Sequence, residues 1–314
     1  MSIIPFSGNT VSFKDLSKII TKGNVRRDCI ISFVDKLSNV KYIGTAVFAT
    51  NKPCDEVLDD KRISGIIVPP SLAPFLLEHT RMGVWECEDP QDLFFSIHEY
   101  FAKTNFMIKP WINNISVSAV ISPNALIADH SVTIGDNCVI EDGAVIHPYS
   151  IIGNCSRIGS LCDIGSDGFE VHVVNGVQRI IPHGGIVIIG DNVELLSMIK
   201  VTRGLSLSRN TVIGDNVKVD SMTHIAHGVM IGKDSIITGC VTIAGNVTIG
   251  RNVYIGPSAT ISNRLIIRDN SYIALGSVVI TNLKKDSKVS GNFAVPHEDN
   301  LSRQVFLRKA LKSK

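Results

Sequence analysis

The chain carries the stretch Thr223-His224-Ile225-Ala226-His227-Gly228, with two histidines three residues apart. An unperturbed imidazole has a pKa near ~6.5, so either side chain can take up or give a proton near neutral pH. Three roles are open to such a pair: general-base catalysis, metal ligation, or a solvated surface. The choice between them depends on what the rest of the chain builds around these residues.

A ruler with a step of six describes most of the chain. From Ile189 it meets Leu195, Val201, Leu207, Ile213, Val219, Ile225, Ile231, Ile237, Ile243, Ile249, Ile255, Ile261, Ile267, Ile273 and Val279, sixteen aliphatic residues without exception. An earlier run, Ile134, Ile140, Ile146, Ile152, Ile158 and Ile164, keeps the step, and a one-residue slip separates it from Ile115, Ile121 and Ile127. A period of six fits neither a helix nor a simple strand. It fits a parallel β-helix in which each hexapeptide forms one flat side of a triangular prism. Three hexads then make a coil of ~18 residues, and stacked coils lie ~4.8 Å apart. The hexads suffice for about eight coils. Stacked inward aliphatic residues account for 6% aromatic residues beside 44% hydrophobic ones. Glycines that follow the aliphatic position, such as Gly135, Gly153, Gly190 and Gly214, are expected to turn the corners. With Ile225 inward, His224 and His227 point out of the prism.

The ruler breaks between Ile164 and Ile189, so a loop at 166–186 should leave one corner. Loops on rigid scaffolds often carry function. Residues 1–102 do not follow the ruler. They mix short apolar runs ("GTAVFAT", "ISGIIVP") with helix-like stretches ("SLAPFLLEH", "PQDLFFSIHEYFAK"), which predicts a small α/β domain. Residues 103–114 form a linker around Pro110, the β-helix spans 115–282, and 283–314 form a C-terminal extension with a short basic helix. Val305, Phe306, Ala310 and Leu311 are its expected packed side. The fold class expected is therefore mainly β, a parallel β-helix with a small N-terminal α/β domain and a C-terminal helix.

A net charge of +2 gives no reason to expect nucleic acid as a partner. Seven cysteines without CxxC pairs suit reduced thiols in a cytoplasmic protein. The first residues lack the pattern of a signal peptide, and no apolar run approaches the ~18–20 residues of a membrane span.

Several motifs in fixed order add a resemblance. "SDGF" (Ser166 to Phe169) opens the loop and "IPHGGIVIIGDNVE" closes it. "TRG" (Thr202 to Gly204), "IAHGVMIG" (Ile225 to Gly232) and "TIAGNVTIG" (Thr242 to Gly250) follow. In this order, over nearly the whole chain, the sequence resembles the UDP-3-O-acylglucosamine N-acyltransferases of lipid A synthesis. The resemblance implies a left-handed prism and transfer of an acyl chain from an acyl carrier protein thioester to the amine of a UDP-linked sugar. It puts the catalytic base on His227 and the oxyanion-binding backbone amide on Gly245. The spacing agrees, because residues 227 and 245 lie one coil of eighteen apart and should stack. Asp167, Gly168 and Phe169 are expected to shape the substrate pocket, His224 to be a pocket wall or a surface residue, and His183 a hinge or a surface residue.

Three positions depart from the family pattern. Thr202 stands where the family has an aspartate thought to support the histidine. Arg264 stands where a second histidine falls, and suits a phosphate or a carbonyl. The uracil-gripping F-x-x-N-x-x-Y pattern is present as Phe48 and Asn51, but Cys54 replaces the tyrosine. The expected acceptor is thus a nucleotide-linked amino sugar, for lipid A or another surface glycan. The donor is an acyl thioester on carrier protein or coenzyme A, with no tightly bound cofactor. A homotrimer with sites between subunits is expected. The alternatives are a sugar O-acyltransferase and a scaffold without turnover. Zinc-binding hexapeptide proteins such as the γ-class carbonic anhydrases place two ligands five residues apart. Here that spacing meets Gly232 and Val229, so no metal is expected.

Overall fold

The computed structural model describes residues 5–174, 176–291 and 294–312, and the side chains of 310–312 lie outside that description. Its body is a left-handed parallel β-helix. Short strands stack into three parallel sheets of eight, nine and eight strands. Face one begins at Asn114–Ile115, face two at Val120–Ile121 and face three at Leu126–Ile127. The chain passes from face one to two to three and back to one. Each inward aliphatic residue pairs with its like: Ile225 with Ile243, Ile243 with Ile261, and Ile261 with Val279. These side chains form one continuous dry column. The last rung, Lys288–Val289, pairs with Tyr272–Ile273.

The coil is not uniform, and the sequence ruler hid one irregularity. Along face three, Ile164 pairs with Val201 and Val201 with Ile225, steps of 37 and 24 residues, before the step settles to 18 at Ile243. The loop at 166–186 explains the first. The second is a six-residue excursion within 203–210, a length that keeps the period in phase. Leu207, aliphatic and on the ruler, therefore lies outside the prism. It sits in a short 3₁₀ turn, Leu207–Arg209, and packs into the N-terminal core instead. The early slip falls at 128–131. All three irregularities leave face three and rejoin face one, so a single edge carries them.

The corner glycines need correction. Gly135, Gly153, Gly190 and Gly214 do not have positive φ. A Cβ on Gly153 would fall 2.6 Å from the backbone carbon of Gly190, and one on Gly214 would fall 2.8 Å from the nitrogen of Lys233. They are glycine because adjacent coils nearly touch there. The left-handed residue comes two positions later and is mostly not glycine. On the edge from face one to two it is Asn137, Asn192, Asn216, Asn252 and Asn270, with Cys155 and Asp234. On the edge from two to three it is Leu161, Met198, Met222, Cys240 and Ser258.

The N-terminal lobe is a five-stranded sheet in the order Asn24–Arg27, Gly83–Glu86, Ile63–Val68, Thr45–Phe48, Phe33–Val34, parallel except at the first pair. Its helices are α1 (Phe13–Ile19), α2 (Asp55–Leu58), α3 (Ala73–His79) and α4 (Pro90–Lys103). Val47, Ile66 and Val84 pack on one side of the sheet, and Ala46, Ile67 and Trp85 on the other. Helix α4 starts sharply because Asp89 accepts the Asp92 N–H and Pro90 supplies a helical φ. It buries Leu93, Phe94, Ile97 and Phe101. The C-terminal helix α5 (His297–Lys312) leaves Val305 and Phe306 52% and 70% exposed, so within this chain they are not packed. Ala310 and Leu311 lie outside the described side chains.

Candidate active site

His227 follows the inward Ile225 on face three, at the edge where the excursions leave. It points out of the prism as its position requires, yet only 7% of it is exposed. The loop covers it. A Cβ on Gly168 would fall 2.9 Å from His183 Nε2 and 3.2 Å from the His227 ring, so this lid position sits tightly against both histidines. The next coil closes the other side. Asn246 N–H donates to the His227 carbonyl at 2.8 Å, and a Cβ on Gly245 would lie 2.6 Å from His227 Nε2. Arg264 N–H in turn donates to the Gly245 carbonyl. Among the described residues the Gly245 N–H has no acceptor. The imidazole nitrogen therefore abuts the Gly245 backbone, whose amide is free among the described residues, a neighbourhood suited to a base and an oxyanion donor.

The smaller excursion braces this geometry. Thr211 Oγ1 donates to the Thr202 carbonyl at 2.6 Å and accepts the Gly228 N–H at 2.9 Å. Arg209 donates to the Asn246 carbonyl and to Thr248 Oγ1, each at 2.8 Å. Its own backbone is tied to the N-terminal lobe, where Asp35 accepts from Ser206 Oγ at 3.1 Å. Burial pushes the Asp35 carboxyl up to about 6, against the hydrogen bonds of Ser208 and Ser206.

The hairpin of the larger loop, Val171–Val174 with Val177–Ile180, packs on α4. Its entry brings a group of residues that the sequence reading did not single out. Glu170 Oε1 accepts from Lys36 Nζ at 2.7 Å and from His172 Nε2 at 2.8 Å, while Oε2 lies 3.6 Å from His227 Nε2. His172 is fixed in turn, accepting from Gln91 at Nδ1 and stacking 3.7 Å over Phe95. Burial works to raise the Glu170 carboxyl, but the hydrogen bonds from Lys36 and His172 outweigh it and hold it at about 2. For His227, burial lowers the pKa. Glu170 opposes that effect, and Lys36, His224 and Arg264 add to it. The imidazole is therefore neutral at neutral pH. The one available signal was the alternation in "EVHVV", which puts Glu170 and His172 on one side of an extended segment.

His183 is a correction. It is 1% exposed and neither hinge nor surface: its ring meets that of His227 edge-on at 5.3 Å. Its Nδ1–H donates to the Ile181 carbonyl at 3.0 Å, and burial lowers its pKa to about 4. Asp167 accepts the His183 N–H at 3.3 Å and pairs with Arg203 Nε at 2.7 Å, so it shapes the loop root. Phe169 does not join them. It is 79% exposed, because alternation turns it away as Gly168 and Glu170 turn in. Thr202 is buried, and its hydroxyl has no partner. His224 lies half-buried on the sheet face, one rung from Lys200, close enough to His227 to disfavour its protonation.

Beside the site, a cleft of about 400 Å³ separates lobe and prism. Lys36, Arg209 and Arg264 line it, with Asp35, Phe94 and Asn246. Phe48 packs on Phe94 at 4.9 Å, as core beneath the cleft wall, and Asn51 and Cys54 are exposed away from it. Among the described residues no three His, Cys, Asp or Glu side chains are grouped to hold a metal. None of their helices is long and apolar enough to cross a membrane.

Residues 210–245 match the bacterial transferase hexapeptide family model of six repeats. No curated protein matches. Among solved structures, the UDP-N-acetylglucosamine acyltransferase of Campylobacter jejuni is 25% identical over 60% of this chain and 82% of that one, with a TM-score of 0.48. The Arabidopsis UDP-N-acetylglucosamine acyltransferase is 25% identical over 63% and 80%, with a TM-score of 0.47. That of Francisella novicida is 20% identical over 62% and 72%, with a TM-score of 0.45. The stretch that resembles the hexapeptide repeat of bacterial transferases thus includes both His227 and Gly245.

Proposed function

We propose that this protein transfers an acyl group from a thioester to the amine of a nucleotide-linked amino sugar, with His227 as general base and the Gly245 N–H as oxyanion donor. The observation that carries this reading is the close approach of His227 Nε2 to the backbone of Gly245, whose N–H makes no hydrogen bond among the described residues. The sugar ammonium gives a proton to Nε2, and its nitrogen attacks the thioester carbon. The C–N bond forms while the oxyanion rests on the Gly245 N–H. The C–S bond then breaks as the leaving thiolate takes that proton from the imidazolium, and the freed Nε2 accepts the second proton of the acylated nitrogen and passes it to solvent, which leaves a neutral amide. A neutral resting His227 is ready for the first step. Lys36, Arg209 and Arg264 suit the phosphates of a nucleotide. Carrier protein or coenzyme A brings the acyl chain, and no cofactor is assigned to these steps. Seven unpaired cysteines favour the reducing cytoplasm.

A hydroxyl acceptor is the second reading, and Glu170 favours it. An alcohol needs more help from its base than an amine does, and this histidine has a carboxylate 3.6 Å away. The chain is further proposed to act as a homotrimer, with neighbours covering exposed apolar positions such as Ile236 and Phe306. Light scattering should give three chain masses, and a monomer would remove this part.

The deciding experiment pairs UDP- and dTDP-linked amino sugars, and their hydroxyl counterparts, with 3-hydroxyacyl thioesters on both carriers. Wild-type turnover that falls roughly 10²-fold or more in a folded His227→Ala supports the reading. No turnover with any pair sinks it in favour of a scaffold role.

A further inference from the structure

The geometry points to Glu170 as the carboxylate that supports His227, delivered by the inserted loop and anchored by the N-terminal lobe. Only the kinetic part of its test rests on the acyl-transfer reading. Thr202 occupies the place of a supporting aspartate, but a hydroxyl cannot stabilise an imidazolium by charge, and this one is buried without a partner. His227 Nδ1 is likewise buried and unpartnered, so nothing on that side of the ring holds it. On the other side stands Glu170, whose two oxygens divide the work. Oε1 takes both Lys36 and His172, while Oε2 has no other partner among the described residues and faces Nε2 at 3.6 Å. That separation is too long for a hydrogen bond and suits a charge pair that strengthens once Nε2 is protonated.

The anchoring makes Glu170 more than a passing neighbour. Lys36 comes from the lobe, Glu170 and His172 from the loop, and His227 from the prism, so three separate pieces of chain meet at one carboxylate. His172 is held against Phe95 and Gln91 of α4, and Lys36 lies 5.7 Å over the same Phe95 ring. The carboxylate is therefore fixed before any substrate arrives. It acts against the other groups around His227. Lys36 from the lobe, and His224 and Arg264 from the prism, disfavour the imidazolium, as does burial, with the His183 ring packed edge-on. Glu170 thus sets how strong a base His227 is. It faces the proton-accepting Nε2 from 3.6 Å, beyond hydrogen-bond reach, and so acts on the base by charge without taking part in the transfer, which makes it a positioning residue.

The test follows the His227 imidazole by NMR titration in the full-length chain, for wild type, Glu170→Gln and Glu170→Asp, beside pH profiles of kcat/KM. Removing the negative charge should lower the His227 midpoint by about half a pH unit or more. The base works when neutral, so the acid limb of kcat/KM should move to lower pH by the same amount. At the optimum, kcat should fall about 10-fold with KM nearly unchanged. Glu170→Asp keeps the charge but retracts it, and should fall between the other two. A purely structural role would lower activity at every pH without moving the midpoint. An unchanged His227 midpoint in a folded Glu170→Gln overturns the inference. If that variant does not fold, an unchanged midpoint in Glu170→Asp does the same. Absence of acyl transfer in wild type would sink the proposed function and leave the titration to decide on Glu170.

Discussion

Two edges of the prism solve the same turning problem in different ways. The edge from face two to face three puts Leu161, Met198 and Met222 in the left-handed backbone region, all more than half exposed. Long side chains pay there for a turn that asparagine makes more easily. The edge from face three to face one uses Gly228 and Asn246, with Arg264 one coil further, and carries every excursion of the chain. Apart from Ser277, and from Asp163 and Ser166, which meet each other on face three, the buried side-chain polar atoms without partners among the described residues gather at this second edge, at Ser150, His183, Thr202 and His227. Asp163 is still met by His147 at 3.2 Å and Lys200 at 3.0 Å. In this fold, backbone strain belongs to the repeat and says nothing about chemistry. Unsatisfied buried polarity marks the site.

The contrast can be tested first where it should vanish. The interior column is shared by all faces, so Ile243→Ala, Ile249→Ala and Ile255→Ala should each cost about 2–5 kcal/mol, alike within error, by denaturant titration. A much smaller cost at Ile243, on the face of His227, would mean that the site edge loosens the core as well. Next comes the anchoring of that edge. Asp35 is ionised only at the expense of its burial, with a folded pKa raised to about 6. Its contribution to stability is therefore greatest at low pH and is lost as pH rises from about 4 to about 6. Asp35→Asn should stabilise the protein by about 1–3 kcal/mol at pH 7.5 and by nothing near pH 4. A gain that is equal at both pH values would remove the charge from the explanation. The smallest effect belongs to the plain edge. Met222→Asn should raise stability by roughly 1 kcal/mol through relief of the left-handed turn, with acyl transfer untouched. A loss of activity there would make the plain edge part of the site.

The sequence discloses this molecule unevenly, for physical reasons. Stacked aliphatic residues must repeat to stay inside, so the prism, its faces and the position of His227 one coil below Gly245 were legible in spacing alone. Glu170, Lys36 and His172 were not, because their meeting depends on how a loop folds back over a corner and onto a separate lobe. No periodicity encodes that. Cover over the site was misjudged for the same reason. His183 looked peripheral until the loop closed on it, and Phe169 looked like a pocket residue until alternation turned it outward. Leu207 shows the opposite failure, since it matches the pattern in sequence and leaves it in space.

The excursion around Leu207 has one more consequence. A segment of one repeat length can slip out of the stack without changing the register of anything above or below it. Such an insertion is invisible to the frame and felt only by whatever lies along that seam. Two seams hold the coils in step, and the third is open to revision. A chain built this way can exchange one substrate for another by editing a few residues at a single margin, while the column that keeps it folded is copied unchanged.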